Sequence, residues 1–205
     1  MRTIETTAYM FAELSEEAKQ KAIEQHRYFN VEYGEWWDSV YEGFRETLKE
    51  YGYFEPSDIL FSGFNSQGDG ACFEGTFDLK KWVEDNYKGT RFAKICEAYA
   101  RNKVGIAKNL WFNQYCHERT RYIDAGDVFE DLKDGMPYGH WPNLEAYLYA
   151  ICDKIADEAT QEYRTLCKQL YKDLKAAYED LTSDEAVSES LEANEYEFTE
   201  NGEQI

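Results

Sequence analysis

The run Leu144–Leu181 contains neither glycine nor proline, and it sets the strongest limit on what this chain can fold into. Leu144, Leu148, Ile151, Ile155, Ala159, Tyr163, Leu166, Leu170, Leu174, Ala177 and Leu181 recur every three or four residues, the period of a buried helical stripe. At 1.5 Å per residue such a helix extends roughly 57 Å, more than a compact domain of this size needs. It must therefore bend, break near Asp157–Thr160, or pack on a partner. The near-heptad spacing leaves a homodimer through the 144–181 helix open.

The second constraint is Asp58–Phe77, DILFSGFNSQGDGACFEGTF. Two apolar arms, Ile59–Phe64 and Ala71–Phe77, flank Asn65-Ser66-Gln67-Gly68-Asp69-Gly70. Glycines reach positive φ at little cost, and Asp-Gly is a favoured hairpin dipeptide. A hairpin at the centre of a small sheet follows.

The remaining chain fills in around these two stretches. Thr3–Phe11 is β-branched and aromatic and predicts a first strand. Ser15 caps a helix opened by Glu16 and Glu17, with Ala18, Ala22, Ile23, His26 and Phe29 on one face and His26 as a core or boundary residue rather than a ligand. Glu35–Tyr51 predicts a second helix with Trp37, Val40, Tyr41, Phe44, Leu48 and Tyr51 inward. Asp78 and Thr90 cap two shorter helices, Leu79–Tyr87 and Arg91–Asn102. Around Gly105–Asp124 the period shortens towards two, predicting strands Ile106–Tyr115 and Arg119–Asp124 with a turn near Cys116-His117-Glu118, with helix as the alternative. Ala125–Asn143, with three glycines and two prolines, reads as irregular, and Trp141-Pro142 as a candidate cis bond. Thr182-Ser183-Asp184 caps a short helix, Glu185–Ala193, and Asn194–Thr199 alternates like a strand.

The predicted fold class is α+β: a small antiparallel sheet packed with helices, then a long acidic C-terminal helix and a terminal strand. The predicted organisation is a core domain over 1–143, with 144–205 docked on it.

Net charge is −19 in 205 residues. Such a surface repels phosphates, which argues against binding to nucleic acid or anionic membranes. Ala176–Ile205 holds ten acids and no lysine or arginine. Asp173, Glu179, Asp180, Asp184, Glu185, Glu189 and Glu192 are the candidate acidic interaction surface, suited to a protein with a basic surface; a solvated helix face is the plainer account. The five cysteines form no CxxC pair, and His26, His117 and His140 are scattered, so no metal or other cofactor is expected. No basic-then-apolar leader and no 18-residue apolar run occurs, so the expected setting is a reducing cytoplasm.

The candidate ligand site joins Ser66, Gln67 and Asp69 to Tyr115, His117 and Glu118. A histidine beside carboxylates suits acid–base work near neutral pH, glycines admit a ligand to the backbone, and turn N–H groups can hold an anion. Cys72 is a candidate nucleophile with His117 as base. A glycine-rich turn fixed by Asp69 explains the same residues without chemistry. SQGDG lacks the GxxxxGK[ST] of a phosphate-binding loop, and His117-Glu118 lacks the second histidine of a zinc protease. No residue is assigned a catalytic role, and enzymatic activity is not the favoured reading.

ELSEEAKQKAI at 13–23, Trp36-Trp37, FSGFNSQGDGACFEG at 61–75, YCHE at 115–118 and SLEANEYEFTENGE at 190–203 resemble a family of phage and prophage proteins marked by an SGFxSQGDGA hairpin, some loosely labelled antitoxin-like. The resemblance implies a phage origin and a host-cell cytoplasm. The expected function is that of a phage-encoded accessory protein that works by binding and inhibits a host or defence factor through an acidic surface. The alternative is a pocket protein that sequesters or hydrolyses a small nucleotide-like ligand at 66–69 and 115–118.

Overall fold

A computed structural model describes residues 7–109, 115–137 and 142–205. In chain order its elements are β1 (Tyr9–Met10), α1 (Glu16–His26), α2 (Asp38–Tyr51), β2 (Phe54–Phe61), β3 (Ala71–Phe77), α3 (Leu79–Asn86), α4 (Arg91–Tyr99), β4 (Val104–Lys108), β5 (Arg121–Ile123), α5 (Ala125–Gly135), α6 (Pro142–Leu181), α7 (Asp184–Ala193) and β6 (Glu197–Phe198). The architecture is α+β, with a small antiparallel sheet, a long C-terminal helix and a terminal strand. The chain forms two compact units, Val40–Asp173 and Met1–Ser39 with Leu174–Ile205. This division differs from one at residue 143, because the C-terminal segment packs with the N-terminal one.

In Val40–Asp173 the sheet order is β2-β3-β4-β5, all antiparallel. β2 starts at Phe54, earlier than the predicted arm, and its ladder to β3 shifts register between Pro56 and Asp58. Proline is tolerated there because β2 is an edge strand. Phe54, Phe73 and Tyr163 form an aromatic centre: the Phe73 and Tyr163 rings are 4.6 Å apart, and Phe54 lies 5.7 Å from Phe73. The Tyr163 hydroxyl accepts the Phe73 N–H at 3.1 Å and donates to the Phe73 carbonyl at 2.8 Å. Glu162, one residue earlier, accepts from the Tyr53 hydroxyl and, at 2.7 Å, from the Trp82 indole N–H.

α6 runs unbroken through Asp157–Thr160, where Ala159 and Thr160 are buried and the Thr160 hydroxyl accepts the Ile123 N–H at 2.9 Å. Leu148, Ile155, Tyr163, Leu166 and Leu170 are buried within the chain, so the stripe that a second copy would need is already covered. Ala125–Gly135, expected to be irregular, is helical. Asp124 caps it by accepting from the backbone N–H groups of Gly126 (2.8 Å) and Asp127 (3.2 Å), and Val128, Phe129 and Leu132 are buried. The glycines at its two ends hid this short amphipathic period. β4 and β5 pair Ile106, Ala107 and Lys108 with Ile123, Tyr122 and Arg121. Residues 110–114 of the predicted Ile106–Tyr115 strand, His140 and the Trp141-Pro142 bond lie outside the described residues.

In the other unit β1 pairs with β6, joining Tyr9 to Phe198 and Met10 to Glu197. Residues 3–6 of the predicted first strand lie outside the described residues, and Phe11–Glu13 already turns as 3₁₀ helix. Phe11, Leu14, Ala18, Ala22 and Ile23 form one core with Val187, Leu191 and Phe198. Ser15 and Ser183 cap α1 and α7 through the Ala18 and Ala186 N–H groups. His26 is a boundary residue: its Nδ1 lies 2.8 Å from the Ala22 carbonyl and its Nε2 2.9 Å from Gln204. Gly202, at φ +77°, lies where a Cβ would stand 2.2 Å from the Ala18 carbonyl oxygen, so the C-terminal turn closes directly over α1.

Candidate functional site

β2 and β3 are joined by a nine-residue loop, 62–70, rather than by the expected six residues Asn65–Gly70. Two bonds close its neck: Ser62 N–H to the Gly70 carbonyl (3.1 Å) and Gly70 N–H to Ser62 Oγ (3.2 Å). At its tip Asp69 N–H donates to the Ser66 carbonyl (3.1 Å), and the Ser66 N–H donates back to Asp69 Oδ2 (2.6 Å). Gly63 and Gly68 have φ of +102° and +93°, conformations that glycine alone adopts cheaply. Phe64 fixes the loop by packing between Phe61 (4.9 Å) and Tyr171 of α6 (5.6 Å). Asp69 also lies near Tyr171, whose hydroxyl is pushed above its ordinary value by burial and then by that carboxylate.

The 115–120 segment packs against this loop. A Cβ on Gly68 would stand 2.7 Å from Tyr115 Cδ1, and one on Gly70 would stand 2.3 Å from His117 Cβ and 2.7 Å from its Cα. Tyr115 and His117 stack, with ring centroids 6.1 Å apart. The Arg119 N–H donates to His117 Nδ1 at 3.1 Å, so in the neutral ring Nε2 carries the proton. Glu118 lies 3.9 Å from His117 Nδ1 and 3.8 Å from Arg119 Nε. The His117 carbonyl accepts from both the N–H (2.9 Å) and the hydroxyl (2.7 Å) of Thr120.

Glycine at 68 and 70 thus brings the predicted 66–69 and 115–118 stretches together. Their polar atoms are unequally free. One Asp69 oxygen and His117 Nδ1 are engaged by backbone N–H groups, which is the turn-fixing role that the sequence also allowed. Ser66 and Gln67 are exposed at the tip, and Glu118 is half-buried.

Cys72 does not fit the role of nucleophile. It is fully buried, its sulfur lies 3.7 Å from the Thr120 hydroxyl oxygen, and burial pushes it up to about 11, so at neutral pH it stays a thiol. Among the described residues no three His, Cys, Asp or Glu side chains are placed to hold a metal ion.

Sequence reasoning missed Arg121. Its side chain is buried on β5, with Nη2 2.6 Å from Glu74 Oε1 on β3 and Nη1 donating to the Thr120 carbonyl (3.2 Å) and hydroxyl (3.1 Å). Its Nε is buried without a hydrogen-bond partner among the described residues. The available signal was alternation: Arg121 and Ile123 share one face of a strand, so the arginine had to point where the isoleucine does.

The seven acidic candidates do not form one uniform row. Asp173 belongs to the Val40–Asp173 unit and accepts from Gln169 at 2.8 Å. The others lie in the terminal unit. There Glu179 pairs with Lys175 (3.6 Å), and Asp184 pairs with Arg27 (2.7 Å), which holds the carboxyl below its ordinary value. Asp180 is exposed at the end of α6, and Glu185, Glu189 and Glu192 are exposed on one face of α7, opposite buried Val187 and Leu191.

The family model for a domain of unknown function, DUF8835, matches residues 36–184. The chain belongs to the DUF8835 family. No curated protein and no solved structure matches it. The DUF8835 match takes in the 62–70 loop, the 115–120 segment and Arg121. It stops at Asp184, before Glu185, Glu189 and Glu192, so most of the terminal unit lies outside the DUF8835 domain. Among the described residues no helix is long and apolar enough to cross a membrane.

Proposed function

We propose that this chain acts by binding, and that the terminal unit docks onto a basic surface of a protein partner and inhibits it. The observation that carries the reading is the distribution of charge. Met1–Ser39 and Leu174–Ile205 hold eighteen acidic and five basic side chains, −13 of the net −19, which leaves −6 for Val40–Asp173. Every described cation of the terminal unit is already ion-paired within it: Lys19 with Glu16, Lys21 with Glu203, Arg27 with Glu24 and Asp184, and Lys175 with Glu179. Glu185, Glu189 and Glu192 share one helix face with no cation among them. Neutralising such a surface takes cations from outside. The resemblance to phage and prophage proteins makes a host or defence factor the first partner to try.

A pull-down from host lysate tests this. The full chain should retain a protein at low salt and release it at high salt, because exposed charge pairs are screened. E185Q/E189Q/E192Q should retain far less, and D69A/H117A should retain as much as the unaltered chain. Capture that is indifferent to salt and to the three glutamates overturns the reading.

The second reading, a site for a small nucleotide-like ligand at Ser66, Gln67, Asp69, Tyr115, His117 and Glu118, is favoured by the packing of Gly68 on Tyr115 and Gly70 on His117. Tyr115 offers a ring for stacking and His117 Nε2 a donor. A small molecule that co-purifies with the full chain and is lost from the folded H117A variant, identified by mass spectrometry, would put this reading first.

A further inference from the structure

The two most exposed large apolar side chains among the described residues are Tyr33 (71% exposed) and Tyr28 (62%), and they lie on one short segment of the terminal unit. They flank the 3₁₀ turn Phe29–Val31. The backbone between them is pinned. Asn30 Nδ2 donates to the Leu181 (3.0 Å) and Ala186 (3.4 Å) carbonyls, and its Oδ1 accepts the Ser190 hydroxyl at 2.8 Å. Arg27, next to Tyr28, donates to the Thr182 carbonyl at 2.9 Å. These tyrosines are therefore displayed from a fixed frame rather than from a loose loop. Glu32 and Glu35 bracket Tyr33 and are exposed.

Isolated exposed apolar residues need no explanation, but two aromatic rings on one anchored segment within a unit of charge −13 do. Aromatic side chains with little rotamer freedom are typical anchors of protein interfaces. Charge complementarity decides the occupant. Phosphate backbones and anionic membranes are repelled, and so is a second copy of the same acidic face. A basic protein surface is attracted, and of the two basic side chains arginine is the one that stacks flat on a tyrosine ring while still pairing with a carboxylate.

We propose that Tyr28 and Tyr33 are the contact residues of the acidic docking face and stack arginine side chains presented by the partner. This rests on the docking function proposed above and names the chemistry of its partner: an arginine-rich protein surface, in preference to a lysine-rich one. The family-matched residues begin at Trp36, so both tyrosines lie outside the match.

The test uses the full chain and two labelled homopeptides of equal length, one of arginine and one of lysine, followed by fluorescence anisotropy at low salt. The arginine peptide should bind about tenfold tighter, the ratio expected of two ring–guanidinium contacts. Y28L/Y33L should lose that preference by lowering arginine binding about tenfold while leaving lysine binding unchanged, and Y28F/Y33F should keep it. Both tyrosines are surface residues, so unchanged circular dichroism should accompany the loss. If Y28L/Y33L keeps the arginine preference, the inference falls. E185Q/E189Q/E192Q separates it from the reading beneath. Should those substitutions weaken both peptides while the tyrosine variants change nothing, the acidic docking face stands without the tyrosines. Should they weaken neither, the docking function fails and the inference with it.

Discussion

Tyr163 bonds both backbone groups of Phe73, accepting its N–H at 3.1 Å and donating to its carbonyl at 2.8 Å, and so does for β3 what a neighbouring strand would do. β4 pairs with β3 only at Thr76 and Phe77, which leaves Phe73 beyond the reach of that ladder. A buried amide with no partner is costly, and one hydroxyl from α6 meets the need. The sheet and the long helix are thereby locked in register.

Tyr163→Phe keeps the ring and removes the hydroxyl, leaving the Phe73 N–H and carbonyl buried and unpaired. It should destabilise the protein by about 2 kcal/mol, read as a lower urea midpoint. Tyr163→Leu, which also loses the 4.6 Å contact with the Phe73 ring, should cost more.

Gly70→Ala places a Cβ against the backbone and Cβ of His117, where no rotamer change can relieve the contact. The expected loss is about 1–3 kcal/mol, with amide shifts in 115–120 as well as in 62–70. Shifts confined to the loop would show that the two stretches are not packed as described.

Glu74→Gln leaves the Arg121 guanidinium buried with a weaker partner. Breaking a buried ion pair costs about 3–5 kcal/mol; because Glu74 is itself partly exposed, the lower end of that range is expected. The thermal midpoint checks it, and Arg121→Met with Glu74→Gln should recover part of the loss.

Burial pushes Cys72 from an ordinary value near 9 up to about 11, and Cys96 and Cys152 up to about 12. The unfolded chain ionises these thiols near pH 9 while the folded chain keeps them protonated, so the folded state binds more protons in that window. Their contribution to stability is full below about pH 9 and lost as pH rises towards about 12. The urea midpoint should therefore fall between about pH 8 and about pH 10, and in native protein at pH 8 Cys116, which is half-buried, should react with a thiol reagent ahead of the four buried cysteines.

Much of this was legible from sequence because it is local. Ser15, Asp78, Thr90 and Ser183 each sit one residue before an amphipathic run, and each caps as read. The stripe of α6 announced a long helix. What local patterns do not carry is the partner of a stripe. Residues 144–205 read as docked on a core over 1–143, but the sequence does not say where: Val187, Leu191 and Phe198 bury against Phe11 and α1, a pairing set by residues at the other end of the chain. The site was legible as two composition-rich stretches. Their meeting was expected from paired hairpin ends, but the means of it was not legible: it depends on the absence of a Cβ at Gly70 opposite His117, and nothing near Gly70 in sequence signals that. The loop runs 62–70 rather than the expected 65–70 because β2 ends at Phe61, and Asp69 holds its tip by accepting the Ser66 N–H.

The pairing of Tyr9 with Phe198 has a consequence for synthesis. Residues 7–39 leave the ribosome before Val40–Asp173, but their β-strand partner and three of the eight buried residues of their apolar core are translated after it. Val40–Asp173 can close its own sheet while translation continues, whereas the N-terminal segment must wait with Phe11, Leu14 and Ile23 uncovered. Its density of glutamate, with Glu13, Glu16, Glu17 and Glu24 interleaved among those apolar residues, is suited to keeping that waiting segment from sticking to other chains.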